Sequence, residues 1–334
     1  MASYWFDSTS VTFDVGGRTV TLETGRMAKQ AAGAVVVSCG ETVVLVTATR
    51  AKPREGIDFF PLVVDYVEKF SAAGKIPGGF FKREGRLSDR EVLVSRFIDR
   101  SIRPLFPESY RDETQIIATV LSADGENPPD LCAFVGASAA LSLSEMPFLG
   151  PISAVRLGRI EGEFVLNPAP GDFAKSDLEL VVAGSAQALV MVEGSAKELP
   201  EAQMLAALEL AHRALRPAIE AQQELVRRVG KPKLAVAAPE DRKSLEAEVR
   251  QRAESRLAEA VRIREKEARY TAIAAVEKEV VDALVSAYRD ERVSFDSLEA
   301  LEARRAGAAK LTGQLKELLH ELRYDLVRAR ILDE

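Results

Sequence analysis

An α+β fold, with mixed sheets and packed helices in a first unit and an all-helical bundle in a second, is the class this 334-residue chain predicts. Three observations predict it. β-branched runs with apolar–polar alternation recur as far as Gly194 and are bounded by Gly- and Pro-containing turns. Stretches with a 3.6-residue period interrupt them. From Pro239 onward glycine nearly vanishes, and Ala, Glu, Arg, Leu and Lys take over with helical spacing. At roughly 150 residues per domain, the length fits two folded units.

Val11–Val15 and Arg18–Glu23 flank Gly16-Gly17, a two-residue loop suited to a primed hairpin turn because glycine accepts positive φ. A second hairpin pairs Ala34–Ser38 with Thr42–Thr49 across Cys39-Gly40-Glu41, and Phe60–Val67 adds a strand. Ser88-Asp89-Arg90-Glu91 reads as a capping box opening a helix over Asp89–Ile102, which Pro104 must stop. Strands follow at Gln115–Ser122, Ile152–Leu157, Glu163–Leu166, Leu178–Gly184 and Ala188–Gly194, with a small-residue helix from Asp130 to Ser144 among them. A long helix from Pro200 to Arg228 closes the first unit, residues 1–229. The composition shift at Val229-Gly230-Lys231-Pro232 marks a linker over 230–239, and residues 240–334 form the helical unit, with Leu245, Val249, Leu257, Val261, Val276, Val280 and Leu284 on its apolar stripes.

With two cysteines, Cys39 and Cys132, the chain lacks the makings of a disulfide scaffold or a cysteine zinc site. No apolar run approaches the ~20 residues of a membrane span, and the start lacks a signal peptide's basic and apolar regions, so a cytoplasmic protein with no membrane partner is expected. The net charge of −6 argues against a chain coated in nucleic acid, and any polyanion needs a local basic patch.

Such a patch lies at Gly78–Ser88 and the helix after it. Phe80-Phe81 sits on a glycine-preceded loop, and rings held at a surface stack on unpaired bases. Between Lys82 and Arg103, seven basic residues (Lys82, Arg83, Arg86, Arg90, Arg96, Arg100, Arg103) face four acidic ones, a local balance of +3. Arg96, Arg100 and Arg103 fall at i, i+4 and i+7 and share a helical face, while Leu93, Val94, Phe97 and Ile98 supply the packing face. Guanidinium forks suit phosphate oxygens, so single-stranded RNA bound with little sequence preference is the function this pattern supports. The competing reading has the arginines paired with local carboxylates and the phenylalanines filling a core.

The run Phe80-Phe81-Lys82-Arg83-Glu84-Gly85-Arg86, with Ser88, then Arg96–Pro107, Glu23-Thr24-Gly25 and Gly40–Val44, resembles the first core of the polynucleotide phosphorylase family, and the resemblance extends over nearly the whole chain. It implies an RNase PH-like core followed by a helical domain, within a homotrimer that degrades RNA 3′→5′ with inorganic phosphate as co-substrate and releases nucleoside diphosphates. The paired-phenylalanine loop would grip the RNA strand, making Phe80, Phe81, Lys82, Arg83, Arg86, Arg96, Arg100 and Arg103 the RNA-binding residues. Lys82 stands where the family more often has arginine. The resemblance also implies Mg2+ at a second core, KH and cold-shock-like modules further on, and a degradation complex with an endoribonuclease or helicase. The chain stops where that second core would begin. Two alternatives are an isolated RNA-binding and assembly module, and an RNase PH-type enzyme trimming transfer RNA ends.

Phosphorolysis needs a seated phosphate and cations around it. The family's phosphate turn corresponds to Gly125–Cys132, where Pro128 and Pro129 remove amide donors and Glu126 and Asp130 occupy the positive helix end. In Lys175–Gly184, Asp177 and Glu179 remain, but Val181 stands where the active core has lysine. No catalytic residue and no metal ligand is therefore expected in this chain. His212 and His320, each alone on a helix, are expected to pack or face solvent, and Arg262–Tyr270 to form a solvated, salt-bridged face.

Overall fold

The computed structural model describes residues 8–53, 57, 59–78, 84–236, 241–289 and 298–333. The chain divides into two compact units, Met1–Ala238 and Pro239–Glu334. No helix among the described residues is long and apolar enough to cross a membrane.

In the first unit, β1 (Thr9–Val15) and β2 (Arg18–Thr24) meet through Gly16 and Gly17, both at positive φ (59° and 74°), the primed turn their sequence requires. β3 (Gly33–Cys39) and β4 (Thr42–Ala51) follow as a hairpin whose side chains alternate between core and surface. β5 (Leu62–Glu68), helix α1 (Asp89–Ile102) and β6 (Glu113–Ser122) form a crossover, so β5 pairs with β6 in parallel while all other pairs are antiparallel. The first sheet runs β1-β2-β3-β4-β6-β5. A second sheet, ordered β10-β9-β7-β8, uses β7 (Ser153–Ile160), β8 (Glu163–Leu166), β9 (Ser176–Gly184) and β10 (Leu189–Ala196).

Helix α2 (Pro129–Leu143) packs on β3, β4 and β7, and every residue from Asp130 to Leu143 is buried. Its run of Ala, Gly and Ser permits this. A Cβ on Gly136 would lie 2.5 Å from Val46, and one on Gly33 of β3 would lie 2.0 Å from the Ala140 carbonyl oxygen. Helix α3 (Glu201–Val229) lays its buried stripe, including Ala207, Ala211, Leu215 and Ile219, against β1, β7 and β9. Cys39 and Cys132 are buried free thiols.

The expected linker is not free chain where it is described. The Lys231 amide donates to Leu143 O (2.9 Å) and the Leu234 amide to Glu145 O (2.7 Å). Lys233 Nζ donates to the carbonyls of Leu141, Ser142 and Ser144 at 2.8–3.0 Å. Helix ends leave such carbonyls without partners, and a lysine meets both that need and the negative end of the helix dipole. Burial lowers the Lys233 pKa to about 8, so the ammonium stays charged at neutral pH.

The second unit is a bundle of α4 (Lys243–Ala260), α5 (Lys266–Arg289) and α6 (Leu298–Asp333), each packed on the other two. Val249, Ala253 and Leu257 meet Ile273, Val276 and Val280 and the Leu315, Leu319 and Leu322 stripe in one core.

Candidate nucleic-acid interface

Helix α1 starts on the predicted capping box: Ser88 Oγ accepts from the Glu91 amide (3.3 Å) while Glu91 accepts from the Ser88 amide (2.6 Å). The same carboxylate accepts the Glu68 amide (2.8 Å), and Ser95 Oγ accepts the Tyr66 amide (2.9 Å), fixing α1 to β5. Although burial opposes its charge, these N–H and O–H donors lower the Glu91 pKa below the usual carboxylate range. Val94, Ile98 and Ile102 are buried, and Phe97 packs on Phe134 with ring centroids 4.8 Å apart. Leu93, expected on that packing face, is 61% exposed because it looks into a cleft rather than onto the sheet.

The cationic face is narrower than its spacing implies. Arg86 and Arg96 are exposed and have no ion-pair or hydrogen-bond partner among the described residues. Arg90 stands 3.4 Å from Glu68. Arg100 pairs with Glu193, with both side chains more than half exposed, a pairing worth at most about 1 kcal/mol that phosphate can displace. Arg103 is the most engaged of the series. The chain tightens into a 3-10 turn over Arg103–Leu105, and the guanidinium turns inward to Asp99 (2.6 Å), Phe60 O (2.9 Å) and Leu62 O (3.1 Å), over the Phe60 ring. These contacts tie the helix end to β5 and leave the side chain 42% exposed. Phe80, Phe81, Lys82 and Arg83 lie outside the described residues.

The turn before α2 is closed to an external anion. Asp124 Oδ1 accepts the amides of Glu126 and Asn127, each at 2.8 Å, and Oδ2 accepts Asn127 Nδ2 (2.7 Å) and the Glu41 amide (3.1 Å). Burial works against its charge, but these donors outweigh it and hold the carboxyl far below the usual carboxylate range. Pro128 and Pro129 contribute no N–H, the Leu131 amide is taken by Asp130 Oδ1 (2.8 Å), and Asp130 Oδ2 pairs with Arg156 (2.7 Å). Asp124, rather than the exposed Glu126, plays the internal anion. Asp-Gly-Glu-Asn carries the signal for this, since Asp caps amides two and three residues on. The Asp130–Arg156 pair carried no local signal, because 26 residues separate its partners.

A cleft of about 950 Å³ lies beside this turn, bordered by α1, Phe173, Glu179, Val181 and Glu193. Asp177 is spent on Arg159 (2.8 Å), and no set of three acidic or histidine ligands gathers in this cleft among the described residues. A divalent hard cation needs several oxygen ligands, so the donor set here does not fit one. Val181 lines the wall without a charge.

Comparison with known proteins accords with this geometry. The first domain of the 3′ exoribonuclease family matches residues 16–147 and the second domain residues 150–214. This chain belongs to the 3′ exoribonuclease family. The polyribonucleotide nucleotidyltransferase RNA-binding domain matches residues 244–334, the α4–α6 bundle. Polyribonucleotide nucleotidyltransferases of Geobacter sulfurreducens and Geotalea uraniireducens are 49% and 48% identical over 97% and 98% of this chain. The chain spans 44% of the length of either relative. The family's two exoribonuclease domains correspond here to β2–β6 with α1 and α2, and to the sheet of β7–β10 with part of α3. His212 Nε2 meets Ser185 O at 3.0 Å within the second of them, a packing role.

Proposed function

We propose that this chain is the RNA-guiding, non-catalytic portion of a phosphorolytic 3′→5′ exoribonuclease. The observation that carries the reading is the self-occupied turn at Asp124–Asp130: the amides that would seat a phosphate are already bonded to Asp124 and Asp130, while Arg86, Arg96 and Arg100 remain on the surface. In the whole protein, inorganic phosphate would be the co-substrate at another core, where Mg2+ would neutralise charge developing on the phosphodiester under attack and on the departing 3′-oxygen of the shortened RNA. This chain's basic residues, Lys82 and Arg83 among them, would hold the strand by its backbone, and Phe80 and Phe81 would stack on its bases. Assembly as a homotrimer in the cytoplasm, and association with an endoribonuclease or helicase, belong to the same reading. Its support is the match of all three domains to the 3′ exoribonuclease and polyribonucleotide nucleotidyltransferase families.

Incubating the chain with end-labelled oligoribonucleotide, phosphate and Mg2+ tests the reading. Retention of the RNA without nucleoside diphosphate is expected. Release of nucleoside diphosphate means the first core is catalytically competent and overturns it.

A further inference from the structure

The chain has two cysteines, Cys39 and Cys132, and the fold brings them together although they lie far apart in sequence. β3 alternates between core and surface, and Val37 and Cys39 are its last inward residues. Helix α2 runs over β3 in the opposite direction. A Cβ on Gly33 would meet the Ala140 carbonyl oxygen, and one on Gly136 would lie 2.9 Å from Val37. Cys132 comes four residues before Gly136 and Cys39 two residues after Val37, steps of about 6 Å along a helix and about 7 Å along a strand. The two side chains therefore fall opposite each other, and a hydrogen bond joins their thiols.

Their surroundings make the two sulfurs unequal. Both residues are 6% exposed and line a cavity of about 40 Å³ with Arg18, Asn127, Phe13 and Leu131. The Cys39 thiol donates to Asn127 Oδ1 (3.3 Å), and Arg18, which donates to Glu126 O (3.3 Å), sets its positive charge near the same sulfur. The hydrogen bond from Cys132, with help from Arg18, lowers the Cys39 pKa to about 7 against burial and the Asp124 carboxylate. Cys132 moves the opposite way, because it is the donor in that bond and is buried. A thiol that ionises near neutral pH beside one that stays protonated makes an attacking and a resolving pair. The cavity also limits the oxidant. A water-sized molecule needs roughly 10–15 Å³ of such space, so two or three fit. Hydrogen peroxide, with two oxygens, is small enough, and a glutathione-sized disulfide is not.

We propose that Cys39 and Cys132 are a peroxide-reactive pair that closes to an intramolecular disulfide. The Cys39 thiolate attacks one peroxide oxygen and the O–O bond breaks. The hydroxide that leaves becomes water with the proton Cys39 gave up, and Cys39 is left as the sulfenic acid. The Cys132 sulfur then attacks the Cys39 sulfur, the S–O bond breaks, and the departing hydroxide carries off the Cys132 proton as a second water. Two electrons thus pass from the thiols to the peroxide. Closure fastens the first turn of α2 to the end of β3 and frees Asn127 Oδ1, beside the Asp124–Asp130 turn. The proposal stands apart from the RNA-guiding reading.

The test treats the full chain with hydrogen peroxide, blocks remaining thiols with N-ethylmaleimide in urea, and maps the digest by mass. The expected product is a peptide pair joined through Cys39 and Cys132 and lighter by two hydrogens than its parts. Both cysteines should lose maleimide labelling and regain it after dithiothreitol. The oxidised chain should unfold at a higher urea concentration than the reduced one, since the crosslink restricts the unfolded chain. In Cys132→Ala, peroxide with dimedone should leave an adduct on Cys39. Oxidation of Cys39 to the sulfinic acid without a crosslink, a disulfide between two chains, or full labelling of both thiols overturns the proposal. A urea midpoint that fails to rise also contradicts it, because a pair set opposite each other closes without distorting the fold, and a missing dimedone adduct overturns Cys39 as the attacking thiol.

Discussion

Asp124 and Lys233 show how single side chains settle what a loop can do. Asp124 fills its own turn as an anion, and its carboxyl is held far below the unfolded value of about 3.9. A depressed carboxyl contributes stability that is present above the unfolded pKa and lost as pH falls through the folded one. Asp124→Asn should therefore lower the urea midpoint at pH 6, by a free energy of about 1–3 kcal/mol, with the gap to the wild type shrinking below pH 4. A gap that stays constant down to pH 3 would show that the charge is not what the amides bind. Lys233 closes the carboxyl end of α2, and Lys233→Met should cost about 1–3 kcal/mol in equilibrium unfolding by stranding buried carbonyls. The first role has a local signal, Asp-Gly-Glu-Asn, which a reading centred on Glu126 and Asp130 passes over. The second has none, since Lys233 lies in a Gly-Lys-Pro-Lys stretch whose composition says only loop.

Among elements, α1 and the hairpins were readable because their information is local. The capping box at Ser88 and Glu91, the paired glycines at Gly16-Gly17 and the period-2 runs of β3 and β4 each specify geometry within a few residues. Ser88→Ala should destabilise the chain by about 1 kcal/mol, read as a shift in denaturation midpoint at unchanged slope. What was not readable depends on partners far along the chain. The spacing of Arg96, Arg100 and Arg103 put three cations on one face, but the 3-10 turn after α1 bends Arg103 toward Phe60 and Leu62, some 40 residues earlier. Leu93 was assigned to the core by the same periodicity and faces the cleft instead. The closeness of β3 to α2 likewise appears only in three dimensions. Gly33→Ala must push against the Ala140 carbonyl, and a loss of about 1–3 kcal/mol is expected by thermal unfolding.

For the whole molecule, the chain divides into units ending at Ala238 and beginning at Pro239, and the loss of glycine and of strand pattern along the second is a property of a long window. The helical stripe through Val249, Leu257, Val276 and Val280 forms the bundle core for the same reason. Fold class and family were thus legible from the outset, while the contacts that decide which cations stay exposed were not. The α1 face retains Arg86, Arg96 and Arg100 at the surface. Binding through exposed guanidiniums is backbone binding, so its salt dependence is the most direct measure of the central claim. The affinity of the chain for a single-stranded oligoribonucleotide should be followed across salt concentration for the wild type and for Arg96→Ala with Arg100→Ala. With about 0.7 counterions released per single-strand phosphate contact, the double variant should lose roughly 1.4 from the log–log slope, and should weaken alike on adenine-rich and uracil-rich strands. An unchanged slope would contradict the assignment of α1 as the strand-holding face.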